Sequence, residues 1–329
     1  MTPFRPRPWA VGGHRQTLLG YWRRRRLRWT PPVEDVVVDV GDGARLLVRG
    51  SWQAGPREQR PALVLVHGLG GSDAATYILA TGLHAWDRGW HVVRMNMRGA
   101  GEAEAVCPRL YNAGLDSDAV AVFHAVARLV PCVVAVGFSL GANLTLLAFG
   151  RSAARLPTEL VAAAAVSPPL DLAACADALG QPGNRLYQEY FMLNLRAAYR
   201  RRQRRLPDLY EAGRERGART VRAYDAAITA PYGGYRDVND YYTRASAGPH
   251  LAAIDRPALI LAAEDDPMVP RESVARWPLP SHGRVLREML PTGGHMGFVA
   301  PTHAPGAFWA AERVLDFVEE AAAYTGKRG

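Results

Sequence analysis

Ser139 stands at the centre of Gly137-Phe138-Ser139-Leu140-Gly141, between an apolar run at 132–136 and a helix-patterned run at 142–149. A serine on a sharp strand-to-helix turn is forced toward strained dihedrals, and glycines two residues to either side leave room for the close approach this needs. Such a turn lifts the hydroxyl clear of a sheet. It also sets the Leu140 N–H at a helix N-terminus, where an oxyanion can be stabilised.

A serine hydroxyl is a poor nucleophile at neutral pH, so it requires a base within reach and a third group that fixes the base's tautomer. Downstream, an apolar run at 258–263 ends in Glu264-Asp265-Asp266-Pro267-Met268-Val269-Pro270, placing carboxylates at a strand tip. After the next run comes Thr292-Gly293-Gly294-His295-Met296-Gly297, a histidine on a glycine-flanked loop. Nucleophile, acid and histidine thus follow the chain order of one known constellation. The spacing to Val269-Pro270 favours Asp266 as the acid, with Asp265 a solvated neighbour or a turn-stabilising carboxylate. His67, His84, His91 and His124 precede the serine, His250 precedes the acid strand, His282 lies before the last strand and His303 beyond the loop, so His295 is the expected base. Because the base must be neutral, activity should rise with pH as a histidine loses its proton.

An oxyanion hole completes the set. The run at 62–66 enters His67-Gly68-Leu69-Gly70-Gly71-Ser72, whose glycines let the Leu69 N–H turn toward the site opposite that of Leu140. A phosphate-binding loop is the competing reading. It is disfavoured, because the segment lacks the Lys-Ser/Thr ending of a P-loop and the spacing of a dinucleotide fingerprint.

The elements that must position these groups follow from the apolar pattern. Runs at 36–40 and 44–48 flank Gly41-Asp42-Gly43, a hairpin signal, so the sheet begins antiparallel. Short apolar runs at 62–66, 91–95, 132–136, 160–166, 258–262 and 284–289 then alternate with helical segments, the last at 307–324. This predicts an α/β fold with a mostly parallel eight-stranded sheet and helices on both faces. The stretch between the fourth and fifth of these runs far exceeds a usual connection of about two to six residues, which marks an insertion. The expected organisation is an N-terminal leader at 1–33 packing on the core, a core at 34–169 and 250–329, and a helical cap or lid at 170–249. Trp9, Trp22 and Trp29 of the leader are expected to pack rather than touch a membrane.

Of the 329 residues, 48% are hydrophobic, enough for one large domain or two smaller ones. The uncharged stretch 129–150 is long enough to suggest a membrane span. Pro131, Gly137, Ser139, Gly141 and Asn143, with a change of period at the serine, favour a buried strand followed by a buried helix instead. The N-terminus carries no apolar signal segment, and Cys107, Cys132 and Cys175 form neither a disulfide framework nor a metal spacing, which together suggest a cytoplasmic setting. No cofactor or metal is called for.

The net charge of +9 includes clusters at 23–28 and 200–205. Lys327 is the single lysine, so the preference for arginine reads as a compositional bias, and no nucleic-acid-binding signature accompanies it. Peripheral contact with an anionic membrane, at the inner surface, is the more plausible use of the charge. The oligomeric state is not legible.

Taken together the motifs resemble the α/β-hydrolase superfamily and, more narrowly, its YheT-like esterase branch, related to the ABHD-type lipid hydrolases. The resemblance spans nearly the whole chain: Gly13-His14-Arg15-Gln16-Thr17-Leu18, the glycine loop after His67, Asn96-Met97-Arg98-Gly99-Ala100-Gly101, the segment around Ser139, Tyr224-Asp225 with Thr229-Ala230-Pro231, Asp240-Tyr241-Tyr242, Asp265-Asp266-Pro267 and the loop through Phe298. It departs at Gly13 and Arg15, at Ala100 where cysteine is common, at Asn112 where histidine is common, and at Ala142 where a second glycine is common.

The resemblance implies a Ser139, Asp266, His295 triad that hydrolyses carboxylic esters, of short- to medium-chain acyl groups or acylglycerol-like lipids. A thioesterase or an alcohol acyltransferase would use the same residues. Outside enzymes, the alternative is a lipid- or ligand-binding module on a silenced hydrolase fold.

Overall fold

The computed structural model describes residues 3–326. Met1 and Thr2 of the expected leader, and Lys327, fall outside them. The described chain builds an eight-stranded sheet in the order β1-β2-β4-β3-β5-β6-β7-β8. The strands are β1 (Glu34–Asp39), β2 (Arg45–Ser51), β3 (Ala62–Val66), β4 (His91–Met95), β5 (Val133–Phe138), β6 (Leu160–Val166), β7 (Ala258–Ala263) and β8 (Val285–Leu290). The β1–β2 and β2–β4 pairs are antiparallel and every later pair is parallel.

Both faces of the central strands are covered, which is why they read as unbroken apolar runs rather than alternating ones. On β3, Ala62, Val64 and Val66 enter one core cluster, shared with α3 (Asp116–Ala127) and α4 (Leu140–Arg151). Leu63 and Leu65 enter the other, shared with α2 (Thr76–Asp87) and α11 (Trp309–Gly326). Two strands run two or more residues past the C-terminal end of their apolar signal. β5 reaches Phe138 because Gly137 and Phe138 continue the ladder against Ala165 and Val166, and β2 reaches Ser51 by pairing Gly50 and Ser51 with Val93 and Val92. The stretch 129–150 is a buried strand and helix. Among the described residues, no helix is long and apolar enough to cross a membrane.

Between β6 and β7 the chain forms α5 (Leu172–Leu179), α6 (Arg185–Arg205), α7 (Val221–Tyr224), a π-helical turn at Asp225–Thr229, α8 (Ala230–Tyr232) and α9 (Val238–Ala245). These segments hold a third apolar cluster of their own, centred on Met192, Tyr199, Tyr224 and Ile228. A short α10 (Arg271–Ala275) follows β7.

The second arginine cluster is largely committed within the protein. Arg200 pairs with Glu215 at 2.8 Å, Arg201 with Glu104 at 3.3 Å, and Arg205 reaches the carbonyls of Glu104 and Ala105. Arg202 is buried and donates to the carbonyls of Cys107 and Arg109, so the end of α6 is fastened to the 99–110 loop.

The leader forms α1 (Gly13–Arg24), which lies against the loop after β8. A methyl group on Gly20 would come within 2.9 Å of Gly297 Cα, so only glycine permits that approach. Trp29 packs against Gly82, stacks under Arg94 and donates to Ser51 Oγ at 3.1 Å. Trp9 and Trp22, expected to pack, are instead more than half exposed. Trp9 lies in a short turn before α1, and α1, which carries Trp22, meets the core with its other face, through Gln16, Gly20 and Arg24.

Candidate active site

Ser139 follows β5 with φ 51° and ψ −119°, a conformation held because the segments around it have no slack. A methyl group on Gly137 would lie 2.4 Å from the Gly141 carbonyl oxygen, and one on Gly141 would lie 2.3 Å from that of Val66. Both glycines of the motif are therefore required by close backbone approach, between turn and helix in one case and helix and β3 in the other. The Ser139 N–H donates to the Val166 carbonyl at 2.9 Å, which ties the turn to β6.

The structure brings the three expected side chains together. Ser139 Oγ lies 2.9 Å from His295 Nε2, and His295 Nδ1 lies 2.9 Å from Asp266 Oδ2. In the tautomer that donates Nδ1–H to the carboxylate, Nε2 is left to accept the serine proton. Asp266 is itself oriented, since its Oδ1 accepts the N–H groups of Met268 and Val269 at 2.9 and 3.0 Å. Asp266 and His295 are buried, which protects the arrangement from competing water.

Asp265 does different work. Its Oδ1 accepts the N–H groups of Gly293 and Gly294, both at 2.9 Å, and its Oδ2 accepts the Thr292 hydroxyl at 2.5 Å. Of its two expected readings, the turn-stabilising carboxylate is the one observed.

The histidine loop is strained, with positive φ at Gly293, Gly294, Met296 and Phe298. It is held from the far side by α1. Thr17 Oγ1 accepts the His295 N–H at 2.9 Å and donates to the Gly13 carbonyl at 2.7 Å. Gln16 accepts the Val299 N–H at 2.7 Å and donates to the Ala10 carbonyl at 2.8 Å. Arg24 is buried and donates to the carbonyls of Met296 and Gly297 at 2.8 and 3.1 Å. Burial lowers its guanidinium to about 9, still charged at neutral pH. Sequence reasoning singled out the segment around Gln16 and Thr17 without finding this use. No local pattern could reveal it, because the partners lie at the opposite end of the chain.

The loop after β3 has its amides sorted. The Gly68 N–H donates to Tyr77 OH and the Gly70 N–H to Tyr111 OH, both at 2.9 Å, while the Gly71 N–H donates to the Gly68 carbonyl. His67 donates from Nδ1 to the Gly68 carbonyl at 2.8 Å and accepts the Met97 N–H on Nε2. Burial drops the His67 imidazole to about 4, so it stays neutral and stiffens the loop. The Leu69 and Leu140 N–H groups are not among these occupied donors, and both residues line the cavity that contains Ser139 and His295.

That cavity measures about 110 Å³ and is mostly apolar, lined on the side of the helical segment by Leu172, Ala176, Leu179, Phe191, Leu195 and Val221. Cys175 also lines it, but burial pushes its thiol well above the usual range and makes it no rival nucleophile. Among the described residues, no group of three or more His, Cys, Asp or Glu side chains is arranged to hold a metal ion.

Comparison with known proteins bears on the family and the fold. Residues 63–311 match the model of the alpha/beta hydrolase family. The chain is 31% identical to YheT of Escherichia coli strain K12, whose name proposes an esterase, over 93% of this chain and 89% of that protein. It is 28% identical to the mouse phospholipase ABHD3 over 89% of this chain and 72% of the relative. Among solved structures, the Pyrococcus furiosus esterase Pf2001 superposes with a TM-score of 0.58 at 15% identity, covering 90% of this chain and 97% of that one.

Proposed function

This chain belongs to the α/β-hydrolase family, and from that premise we propose that it is a serine hydrolase cleaving carboxylic esters through an acyl-enzyme on Ser139. The observation that carries the reading is the unbroken hydrogen-bonded chain from Asp266 through His295 to Ser139 Oγ. His295 Nε2 takes the serine proton as Oγ bonds to the ester carbonyl carbon, and the resulting oxyanion accepts the N–H groups of Leu69 and Leu140. Collapse breaks the bond to the alcohol oxygen, which leaves with the proton from Nε2. Water then repeats the sequence on the acyl-enzyme. Asp266 orients the imidazole and stabilises its charged form.

In this reading residues 170–249 act as a lid over the strand tips, residues 1–33 as a leader that braces the histidine loop, and residues 34–169 and 250–329 as the catalytic core. The cavity wall on the side of the helical segment is apolar, which supports an acyl chain lying there. Fluorophosphonate labelling and a scan of p-nitrophenyl esters of rising acyl length, with Ser139→Ala as control, test the proposal. Labelling and turnover both lost in the variant are the expected result. A folded wild type that takes no label would return the protein to a binding role.

The ABHD3 relative is named a phospholipase, and a second observation favours a lipid surface as the source of substrate. Leu18, Tyr21 and Trp22 of α1 and Leu186, Tyr190 and Leu193 of α6 are exposed apolar side chains. The two helices are joined where His14 stacks on Tyr187, with 3.1 Å between Nδ1 and the hydroxyl. Exposed Arg23, Arg25 and Arg26 flank the α1 residues, a pairing of aromatics and cations suited to anionic headgroups.

A further inference from the structure

Asp225 is the one carboxylic acid among the residues lining the cavity, and no arginine or lysine lines it. It opens the π-helical turn at Asp225–Thr229, a rare geometry found frequently at functional sites. Thr229 donates to Oδ1 at 2.6 Å and Tyr242 to Oδ2 at 2.8 Å, which uses one acceptor position on each oxygen and leaves the others. Among the described residues no cation forms an ion pair with it; Arg222, whose charge acts on it, is paired with Asp177 at 2.8 Å. Four tyrosines, Tyr111, Tyr224, Tyr241 and Tyr242, line the same cavity.

Two hydroxyl donors, one on each oxygen, hold the ionised carboxylate in place, yet they leave its negative charge in an apolar space with no paired cation. A charge without a protein counter-ion, ringed by tyrosines, has the composition that recognises organic cations: the carboxylate supplies attraction and the rings supply cation–π contact. On the serine-hydrolase reading above, we propose that Asp225 and the surrounding tyrosines form a subsite for a small ammonium group carried by the ester substrate, a few bonds from the reacting carbonyl.

The test compares two esters of the same shape, choline butyrate and 3,3-dimethylbutyl butyrate, which differ in a quaternary nitrogen against a quaternary carbon. Their ratio of kcat/KM is measured for the wild type and for Asp225→Asn, and this ratio cancels any effect common to both esters. A wild-type preference for the cationic ester of about tenfold or more, falling to within about twofold in the variant, is expected from a cation–π and carboxylate contact. Tetramethylammonium should also slow fluorophosphonate labelling of wild-type Ser139, whereas tert-butanol at the same concentration should not.

A wild-type ratio at or below one, with no protection by tetramethylammonium, overturns the proposal whether or not the variant folds. An equal ratio in wild type and variant overturns it too. Preference for glycerol monobutyrate over both esters, lost in Asp225→Asn, would reassign the subsite to a hydroxyl group. Labelling and hydrolysis of the neutral ester that vanish in Ser139→Ala keep the hydrolase reading separate from each of these outcomes.

Discussion

The Asp266 carboxylate meets His295 Nδ1 at 2.9 Å, while the carboxylate of its neighbour, Asp265, turns to the backbone N–H groups two and one residues before that histidine. Adjacent side chains at a strand tip diverge, so one can address the imidazole and the other the loop that carries it. Asp266→Asn should therefore lower kcat by up to about ten-thousandfold, because the amide can favour the wrong tautomer. Asp265→Asn should lower it by less than about tenfold but lose roughly 2 kcal/mol of stability with the charge-assisted bonds to the loop. Steady-state kinetics beside urea denaturation separates the two, and the reverse ranking in kcat would exchange their assignments.

Thr17 should act on the same histidine through its backbone. Thr17→Val removes the acceptor for the His295 N–H and, with it, a restraint on a loop that keeps Met296 and Phe298 at positive φ. A base displaced by a fraction of an ångström loses near-attack geometry, so kcat should fall by about ten- to a hundredfold with KM little changed. Thr17→Ser, which restores the oxygen, should recover most of it. A loss that follows KM, or that serine does not rescue, would leave Thr17 as a packing residue.

The site was unevenly legible in the sequence. Ser139 announced itself because the turn requires glycine at 137 and 141, and both requirements are local. His295 and Asp266 could be read from chain order and strand ends, since a parallel sheet delivers its loops to one edge. The choice between Asp265 and Asp266 needed side-chain directions that spacing only suggests. Thr17, Gln16 and Arg24 had no local signal at all, since what they hold lies more than 270 residues away. Arginine runs misled for a related reason: Arg24 and Arg202 look like their exposed neighbours in sequence, yet helix phase turns each inward onto carbonyl oxygens.

That difference within the arginine runs makes a prediction about lipid surfaces. If the exposed stripe on α1 and α6 engages a bilayer, Trp22→Ser combined with Tyr190→Ser should reduce co-sedimentation with vesicles containing phosphatidylserine by about tenfold, the loss of two interfacial aromatics. Arg201→Gln should change it little, because that side chain is paired with Glu104. Raising salt should weaken but not abolish wild-type binding, since apolar insertion survives screening. Binding that is insensitive to the aromatic changes and vanishes in salt would point instead to charge alone.

Asp225 links stability to pH in a direction that distinguishes a ligand subsite from a structural bond. Burial is the largest influence and raises its carboxyl to about 6, against the opposing effects of Thr229, Tyr242 and Arg222. A folded-state value above that of the unfolded chain means the native state holds the proton more tightly. The stabilisation this brings is complete below the ordinary aspartate range and is lost as pH rises through about 6. Asp225→Asn has no such proton, so its Tm relative to wild type should climb between pH 4 and 7 and then level off. The same titration should remove the preference for the cationic ester as pH falls through about 6, because the neutral carboxyl no longer attracts it. His295 drops out of this measurement, since both esters depend on it equally. The tyrosines around Asp225, at 111, 224, 241 and 242, are all pushed upward by burial and do not titrate in this window. A Tm difference that is constant across the range would show that the charge of Asp225 is not what the fold resists. A cationic preference that persists at pH 4.5 would assign the ammonium selectivity to the rings alone.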